Sequence, residues 1–303
     1  MNAPIIVFAY NRPKHLLKTL TALAGNKGAQ GSELYLFIDG PKTEDGRALQ
    51  NEVKAVAESF KSRFASFHLT VSQKNKGLAA SVIGGVTEVI RKHGKVIVVE
   101  DDAVASEGFL SFMNEALDFY QNDKTVWSVG GYTVPLQLPK DYSCDVIKTQ
   151  RSSSYAWATW QDRWERVDWD VSDHSAFRRS MSLRRGFNRW GNDRSGMLDD
   201  QMAGKINSWA IRFDYAMYRN GMYNIVPVRS LIQSIGHDGS GTHSGAVSDS
   251  QDQFHVQLDN HTTALRLEQI EPDERIRRAF CQPFALPPHY RAKQYLLHTL
   301  HKR

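Results

Sequence analysis

Three consecutive carboxylates, Glu100, Asp101 and Asp102, follow the apolar run Lys95 to Val99 in "HGKVIVVEDDAVASEGFL". A short β-branched run of this kind fits a strand buried on both faces, as in a parallel sheet, which puts the acids at a strand's carboxyl end. Three like charges repel there unless a cation or strong hydrogen-bond donors compensate, and metal sites gather such groups. A positive partner is therefore expected. The competing reading is an acidic helix start, because "SEGFLSFMNEAL" follows and carboxylates favour helix N-termini. A second acid pair, Asp199 and Asp200 in "SGMLDDQMAGKINSWAIR", precedes a helical pattern. One of them could take a proton from a hydroxyl, or both could cap a helix; adjacent helical side chains diverge by about 100°, so only one readily faces a cleft.

The elements that must position these groups are legible over the first 135 residues, where short apolar runs alternate with helical patterns, as in strands joined by crossover helices. "PIIVFA" reads as strand one, and Pro13 opens a helix with Leu16, Leu17, Leu20 and Leu23 on one side. "ELYLFID" ends at Asp39 before Gly40-Pro41. A helix with Val53, Val56 and Phe60 leads to the strand "FHLTVS", and a helix after Gly77 leads to the acid-tipped strand. "TVWSVGGY" is a fifth. Ligands of open sheets bind beyond the strand carboxyl ends, which here carry "AYNRP", "IDGPK", "SQKNKG" and "EDDAVAS". No G-x-G-x-x-G turn follows strand one and no Walker-type lysine loop occurs, so phosphates require another counter-charge; a metal on the acid triplet is the simplest candidate.

From residue 136 to about 220 the pattern is irregular and aromatic. "DDQMAGKINSWAIRFDYAMYRNG" reads as one long helix, bent at Gly204 and stopped at Gly221. The tryptophans of "SSSYAWATWQDRWERVDWDV" fit core packing, or a platform for the apolar face of a sugar. "IGHDGSGTHSG" reads as a mobile loop, its His237 and His243 as loop polar groups, since their spacing matches no metal motif. The chain of 303 residues has 38 basic and 33 acidic side chains, a net charge of +5, which identifies no nucleic-acid partner. Cys144 and Cys281 form no disulfide framework or zinc spacing. With no leader and no membrane-length apolar run, a cytoplasmic protein is expected. The C-terminal "PPHYRAKQYLLHTLHKR" places Tyr295, Leu296 and Leu300 beside Arg291, Lys293, Lys302 and Arg303, suiting either a peripheral contact with the inner face of an anionic membrane or packing on the domain.

Taken in order, "PIIVFAYNRP", "IDGPK", "VVEDD", "WATWQDRWERVDW" and "PVRSLIQSIGHDGSGTH" resemble the GT-A superfamily of nucleotide-sugar glycosyltransferases. They are similar to the bacterial family 2-like enzymes of surface polysaccharide assembly and, more distantly, to the Golgi N-acetylglucosaminyltransferase that starts complex N-glycans. The resemblance runs over about residues 4 to 245. It implies an α/β fold with an open, twisted, mainly parallel sheet flanked by helices: a nucleotide-sugar-binding half (1–135), an acceptor-binding and catalytic half (136–250) and a C-terminal extension (251–303). "VVEDD" stands as a variant of the DxD motif, with Asp102 as the ligand of Mn²⁺ or Mg²⁺, Asp101 at the ribose and Glu100 at the donor sugar. Arg12 and the backbone at Ala9 and Tyr10 frame the nucleotide, Asp39 reads the base, and Asn75, Lys76, Gly77 and Ser81 contact the donor, where helix N-terminal amides favour anions. Gly236, His237, Asp238 and Ser240 belong to a closing loop, and Trp157, Trp160 and Trp209 are acceptor candidates. The catalytic base is expected at Asp200, with Asp199 and Asp214 as alternatives. Residues after about 250 match nothing in the family.

The implied reaction is inverting, metal-dependent transfer of a sugar from a nucleotide-sugar donor to a hydroxyl of a glycan or lipid-linked glycan acceptor. A carboxylate deprotonates the hydroxyl while cationic groups stabilise the leaving diphosphate. Two alternatives stand beside it. A sugar nucleotidyltransferase usually carries a Gly-rich basic loop after strand one, which is missing, and a non-catalytic carbohydrate-binding protein of the same fold would bind donor without turnover. An aspartyl phosphatase would need its paired aspartates after the first strand, not the fourth.

Overall fold

The first strand, Ile5–Ala9 (β1), is buried along its whole length. Ile5, Val7 and Ala9 enter one hydrophobic cluster while Ile6 and Phe8 enter another, so the strand is covered on both faces, as its unbroken apolar sequence requires. Pro13–Gly25 (α1) follows, with Pro13 in its first turn, and buries Leu16, Leu20 and Leu23. Leu17, expected on that same side, is 46% exposed. Glu33–Ile38 (β2), Gly46–Glu58 (α2), Ser66–Val71 (β3), Leu78–His93 (α3) and Lys95–Glu100 (β4) complete an alternating series. A turn at Asp101-Asp102 then leads to Ala103–Ala105 (β5), and the next helix, Phe109–Phe119 (α4), starts only at residue 109. The helix-start reading of the acid triplet is therefore excluded. The computed structural model describes residues 2–239, 254–258 and 264–287.

The sheet has eight strands, built with Val126–Gly130 (β6), Val146–Thr149 (β7), Ala156–Trp160 (β8) and later Tyr223–Pro227 (β9), in the order β3-β2-β1-β4-β8-β6-β9-β7. The pairs β1–β2, β1–β4, β2–β3 and β6–β9 are parallel. The pairs β4–β8, β6–β8 and β7–β9 are antiparallel. This is an α/β fold around a large, mostly parallel sheet flanked by helices. The aromatic region thus contributes two strands where an irregular segment is expected from its sequence.

Five helices lie between β8 and β9: Gln161–Trp164 (α5), His174–Arg179 (α6), Met181–Phe187 (α7), Arg194–Met202 (α8) and Trp209–Arg219 (α9). The single helix expected from Asp199 to Gly221 is two helices. α8 begins five residues before Asp199, and Gly204, at φ 71°, turns the chain out before Ser208 caps α9 by accepting from the Ile211 amide. A short strand, Ile232–Ser234 (β10), pairs antiparallel with β5. Residues 264–287 run over the region of Tyr120, Lys148 and Arg189. Tyr120 donates to the Glu268 carbonyl and Lys148 to that of Ile270. Glu274–Phe280 (α10) follows, Arg277 reaches the Arg189 carbonyl, and the Leu286 amide donates to Asn192. Among the described residues no helix is long and apolar enough to cross a membrane. The C-terminal tail, with its membrane-or-packing alternatives, lies outside the described residues.

Trp157 sits at the centre of the cluster on the α3–α9 side, 1% exposed, with ring centroids 4.8 Å from Trp209, 5.1 Å from Phe213 and 5.7 Å from Trp164. Its indole N–H has no partner among the described residues. Trp157→Ala is expected to cost about 3–5 kcal/mol of unfolding free energy. Trp157→Phe, which keeps the ring contacts and removes the unsatisfied donor, should cost less than about 1.5 kcal/mol. Urea unfolding of both variants measures the difference.

Candidate functional site

The acid triplet lies where β1 and β4 run parallel, with Phe8 beside Glu100, so the residues following β1 face those following β4. Arg12 exploits that adjacency. One guanidinium nitrogen pairs with Asp101 Oδ1 and the other with Asp102 Oδ2 at 2.8 Å, with all three side chains largely buried. Burial works against the Arg12 charge, but the two carboxylates outweigh it and hold its pKa above the ordinary value. Burial also pushes Asp101 up to about 6, with Arg12 opposing and Asp102 adding to the rise. Glu100 is raised well above the usual carboxylate range by burial, then by Asp102 and Asp101, against Arg12 and a hydrogen bond from Ser154. The positive partner demanded by three adjacent acids is thus supplied by the protein itself.

The turn is held by its backbone as well. The Asp101 carbonyl accepts from Thr19 Oγ1 of α1 at 2.8 Å, and that of Asp102 accepts from the Ile235 amide at 2.8 Å, extending the β5–β10 ribbon. This brings residues 235–238 over the acids. A Cβ on Gly236 would overlap the Asp102 carboxylate, so any side chain there would have to displace that carboxylate from Arg12. His15 lies 3.1 Å from Asp238 and 3.2 Å from the Ile235 carbonyl, and the Tyr155 hydroxyl is 3.2 Å from His237 Nε2. Gly236, His237 and Asp238 therefore gather at the acid turn. Ser240 and His243 lie outside the described residues.

On the other side of β1, Asp39 ends β2. Its Oδ1 accepts from the Gly40 and Lys76 amides at 2.8 and 2.9 Å, and its Oδ2 from the Gly77 amide at 2.9 Å. The carboxylate thus fastens the β3–α3 loop, and one lone pair on Oδ2 is left for a ligand N–H. Asn75 donates to the Gly40 carbonyl, and Gly77, at φ 78°, caps α3, whose first turn contains Ser81. Ala9 accepts from the Asp39 amide, and the Tyr10 hydroxyl accepts from that of Lys42. A cavity of about 510 Å³ opens past the end of β2, lined among others by Lys42, Glu44, Arg47, Lys74 and Asn75, with Glu44 paired to Arg47 at 2.9 Å. Nothing in the sequence singles out Lys42 and Lys74, in polar loops, or Arg47, in the first turn of α2.

The acid pair of α8 divides by environment. Asp199 is bound by Arg184 at 2.8 Å and His174 at 3.0 Å, whereas Asp200 is half-exposed and pairs with Lys205 at 2.9 Å. Neither caps a helix, since both fall in the second half of α8. The loop after them returns toward the β3–α3 loop, and Asn207 Nδ2 lies 3.9 Å from the place a Cβ on Gly77 would occupy. Asp214 is buried, ion-paired with the fully buried Arg194 at 3.3 Å, and accepts from the Ser152 amide and hydroxyl. The three acceptor-platform candidates are corrected. Trp157, Trp160 and Trp209 are 1%, 3% and 3% exposed, leaving no ring face for a sugar.

Among the described residues no three His, Cys, Asp or Glu side chains stand together as a metal cage. Asp102 Oδ1, however, is buried and has no hydrogen-bond partner among those residues. A single carboxylate oxygen fits a Mn²⁺ or Mg²⁺ ion that takes its other ligands from substrate phosphates and water.

No protein-family model and no curated protein matches the chain. Among solved structures it is similar to residues 1–349 of S. aureus TarS, with a TM-score of 0.46 and 11% identity over 78% of this chain and 61% of that one. The same fragment in complex with UDP-GlcNAc gives a TM-score of 0.46 and 12% identity over 82% and 62% of the two chains. The longer TarS structure gives 0.43 and 12%, over 78% of this chain and 37% of that one. The chain thus spans less than two thirds of these structures. Each likeness concerns chain path, at low identity.

The contrast between Asp199 and Asp200 has a stability consequence. Burial alone would raise the Asp199 carboxyl, but hydrogen bonds from His174 and Arg184 hold it below the usual range. A depressed carboxylate stabilises the fold above its unfolded-state pKa, and that contribution fades as pH falls through the folded-state value. Asp199→Asn should therefore cost about 1–2 kcal/mol at pH 7, with the deficit shrinking toward pH 3, while Asp200→Asn stays within about 0.5 kcal/mol. Chemical denaturation across that pH range checks both.

Proposed function

We propose that the protein is an inverting, metal-dependent glycosyltransferase that moves a sugar from a nucleotide-sugar donor to a hydroxyl of a glycan or lipid-linked glycan acceptor. The single observation that carries this reading is the buried acid turn at the end of β4. It combines an Arg12-paired aspartate couple with an uncommitted Asp102 oxygen, under the 235–238 segment and two strands from the Asp39-fastened loop. That layout supports binding of an anionic donor at the carboxyl ends of parallel strands.

In this reading Asp102 Oδ1 is the ligand for Mn²⁺ or Mg²⁺, which, bound with the donor, supplies charge compensation for the leaving diphosphate. Arg12 and the first-turn amides of α3 bind the phosphate oxygens. The remaining lone pair of Asp39 Oδ2 accepts an N–H from the base, with Lys42 and Lys74 on the neighbouring cavity wall. Asp101 meets the ribose and Glu100 the donor sugar. Residues 236–238 exclude water from the reacting carbon. Asp200 accepts the proton of the attacking hydroxyl, a role supported by its half-exposed carboxylate and by the approach of its following loop to Gly77. Asp199 and Asp214, each committed to a buried arginine, are less suited to that step. The reading extends to polysaccharide biosynthesis at the cytoplasmic side of a membrane.

The deciding experiment is a screen of sugar nucleotides for divalent-metal-dependent release of free nucleoside diphosphate, with and without glycan acceptors. One donor should be turned over, and chelator should stop it. Asp102→Ala should lose that activity while remaining folded, as judged by circular dichroism; full activity of this variant would refute the metal assignment. Asp200→Asn should lower the transfer rate by a factor on the order of 100 with donor affinity nearly unchanged. Near-normal transfer by Asp200→Asn would move the base elsewhere.

A further inference from the structure

The guanidinium of Arg12 and a divalent cation would claim the same carboxylate. Arg12 precedes α1, and its carbonyl accepts from the Leu16 amide, so the root of the side chain is held in place. Its fork spans Asp101 and Asp102, is only 17% exposed, and binds Asp102 through Oδ2, leaving Oδ1 of that carboxylate buried without a partner. Gly236 passes so close that a Cβ there would overlap the Asp102 carboxylate and come within 3.2 Å of Arg12 Nη1, so the fork is covered on that side. A dication on Oδ1 would sit a few ångströms from a fixed positive charge, and the single negative charge of the Asp102 carboxylate between them, already shared with Arg12, offsets only part of the repulsion. A nucleoside diphosphate changes that balance, because its oxygens offer Arg12 a bidentate partner and shield the second cation.

We infer that Arg12 is the resident counter-ion of the acid pair and gates the metal: it keeps the protein without nucleotide from binding a divalent cation well, and yields Asp102 only when a nucleoside diphosphate takes over its fork. The inference rests on the reading of Asp102 as a metal ligand given above. Metal and diphosphate are then coupled ligands, each raising the affinity for the other through one arginine, by the reciprocity that linkage requires. Arg12 acts on the metal through Asp102 and is a positioning residue for it. The protein thus avoids an exposed, half-loaded metal site between turnovers.

The test reads metal occupancy and needs no turnover. Electron paramagnetic resonance of free Mn²⁺ is titrated against the full chain, alone and with saturating uridine or guanosine diphosphate, for wild type, Arg12→Gln, Arg12→Lys and Asp102→Ala. Without nucleotide, Arg12→Gln should bind one Mn²⁺ about tenfold more tightly than wild type, and Arg12→Lys, which cannot span both carboxylates, should fall between them. With one of the diphosphates, wild-type affinity should rise by about tenfold, and this gain should be largely absent in Arg12→Gln. If Arg12→Gln does not fold, as judged by circular dichroism, tighter binding by Arg12→Lys carries the same conclusion. Wild type and both Arg12 variants binding Mn²⁺ equally well at a site lost in Asp102→Ala would overturn the gate while sparing the metal site. No Asp102-dependent Mn²⁺ binding in any variant, with either diphosphate, would overturn the metal reading and the gate with it.

Discussion

Three carboxylates at one buried strand end are tolerable because an arginine is there to meet them. Without Arg12 the turn after β4 would hold adjacent, desolvated like charges, and the chain would have to protonate them or open the turn to water. Breaking such a buried set by removing one partner is costly, because it leaves an uncompensated charge behind. The arginine in turn dictates much around it. The start of α1 must abut the end of β4, the 235–238 backbone must pass close over the acids, and a side chain at 236 would push the Asp102 carboxylate away from Arg12.

Topology delivers that meeting. Placing β1 between β2 and β4 puts the residues after three strands side by side, and Asp39 then stitches the β2 end to the β3–α3 loop through backbone amides. The β5–β10 ribbon does the corresponding work on the far side, extending from the acid turn to the covering segment. Rigid elements therefore approach the cleft from both sides, while the acids at its centre are held by charge.

Much of this was legible from residue types. Unbroken apolar runs marked β1, β2 and β4, and Pro13 and Gly77 marked helix starts that the structure keeps. The demand for a cation at the acid triplet followed from elementary electrostatics. Its identity did not, because Arg12 and Asp101 are 89 positions apart and meet only through the sheet order. The strand β8 was hidden by its aromatic composition. "AWATW" is buried on both faces, so it shows no polar alternation, and its tryptophans suggest a surface platform as readily as a core strand. The acids of α8 were misplaced within their helix because Gly196 in its first turn argues against a helix there, although Asp193 just before it is a common helix-starting residue. Arg194 is fully buried and serves Asp214, a role that only tertiary structure reveals.

The insertion of β8 between β4 and β6 bears on how the chain acquires its shape. Strands β1 to β4 come from the first 100 residues and could begin to pair as soon as they are made, but the free edge of β4 waits for residues 156–160, and β6 for residues 223–227. Until then a long apolar strand edge is bare, a template for pairing with another chain. Non-local pairings of this kind slow folding, since loop closure precedes any gain from contact. The nascent protein therefore passes through an interval in which the acid-tipped strand β4 has one neighbour instead of two, and its yield in a cell depends on how quickly the second half arrives.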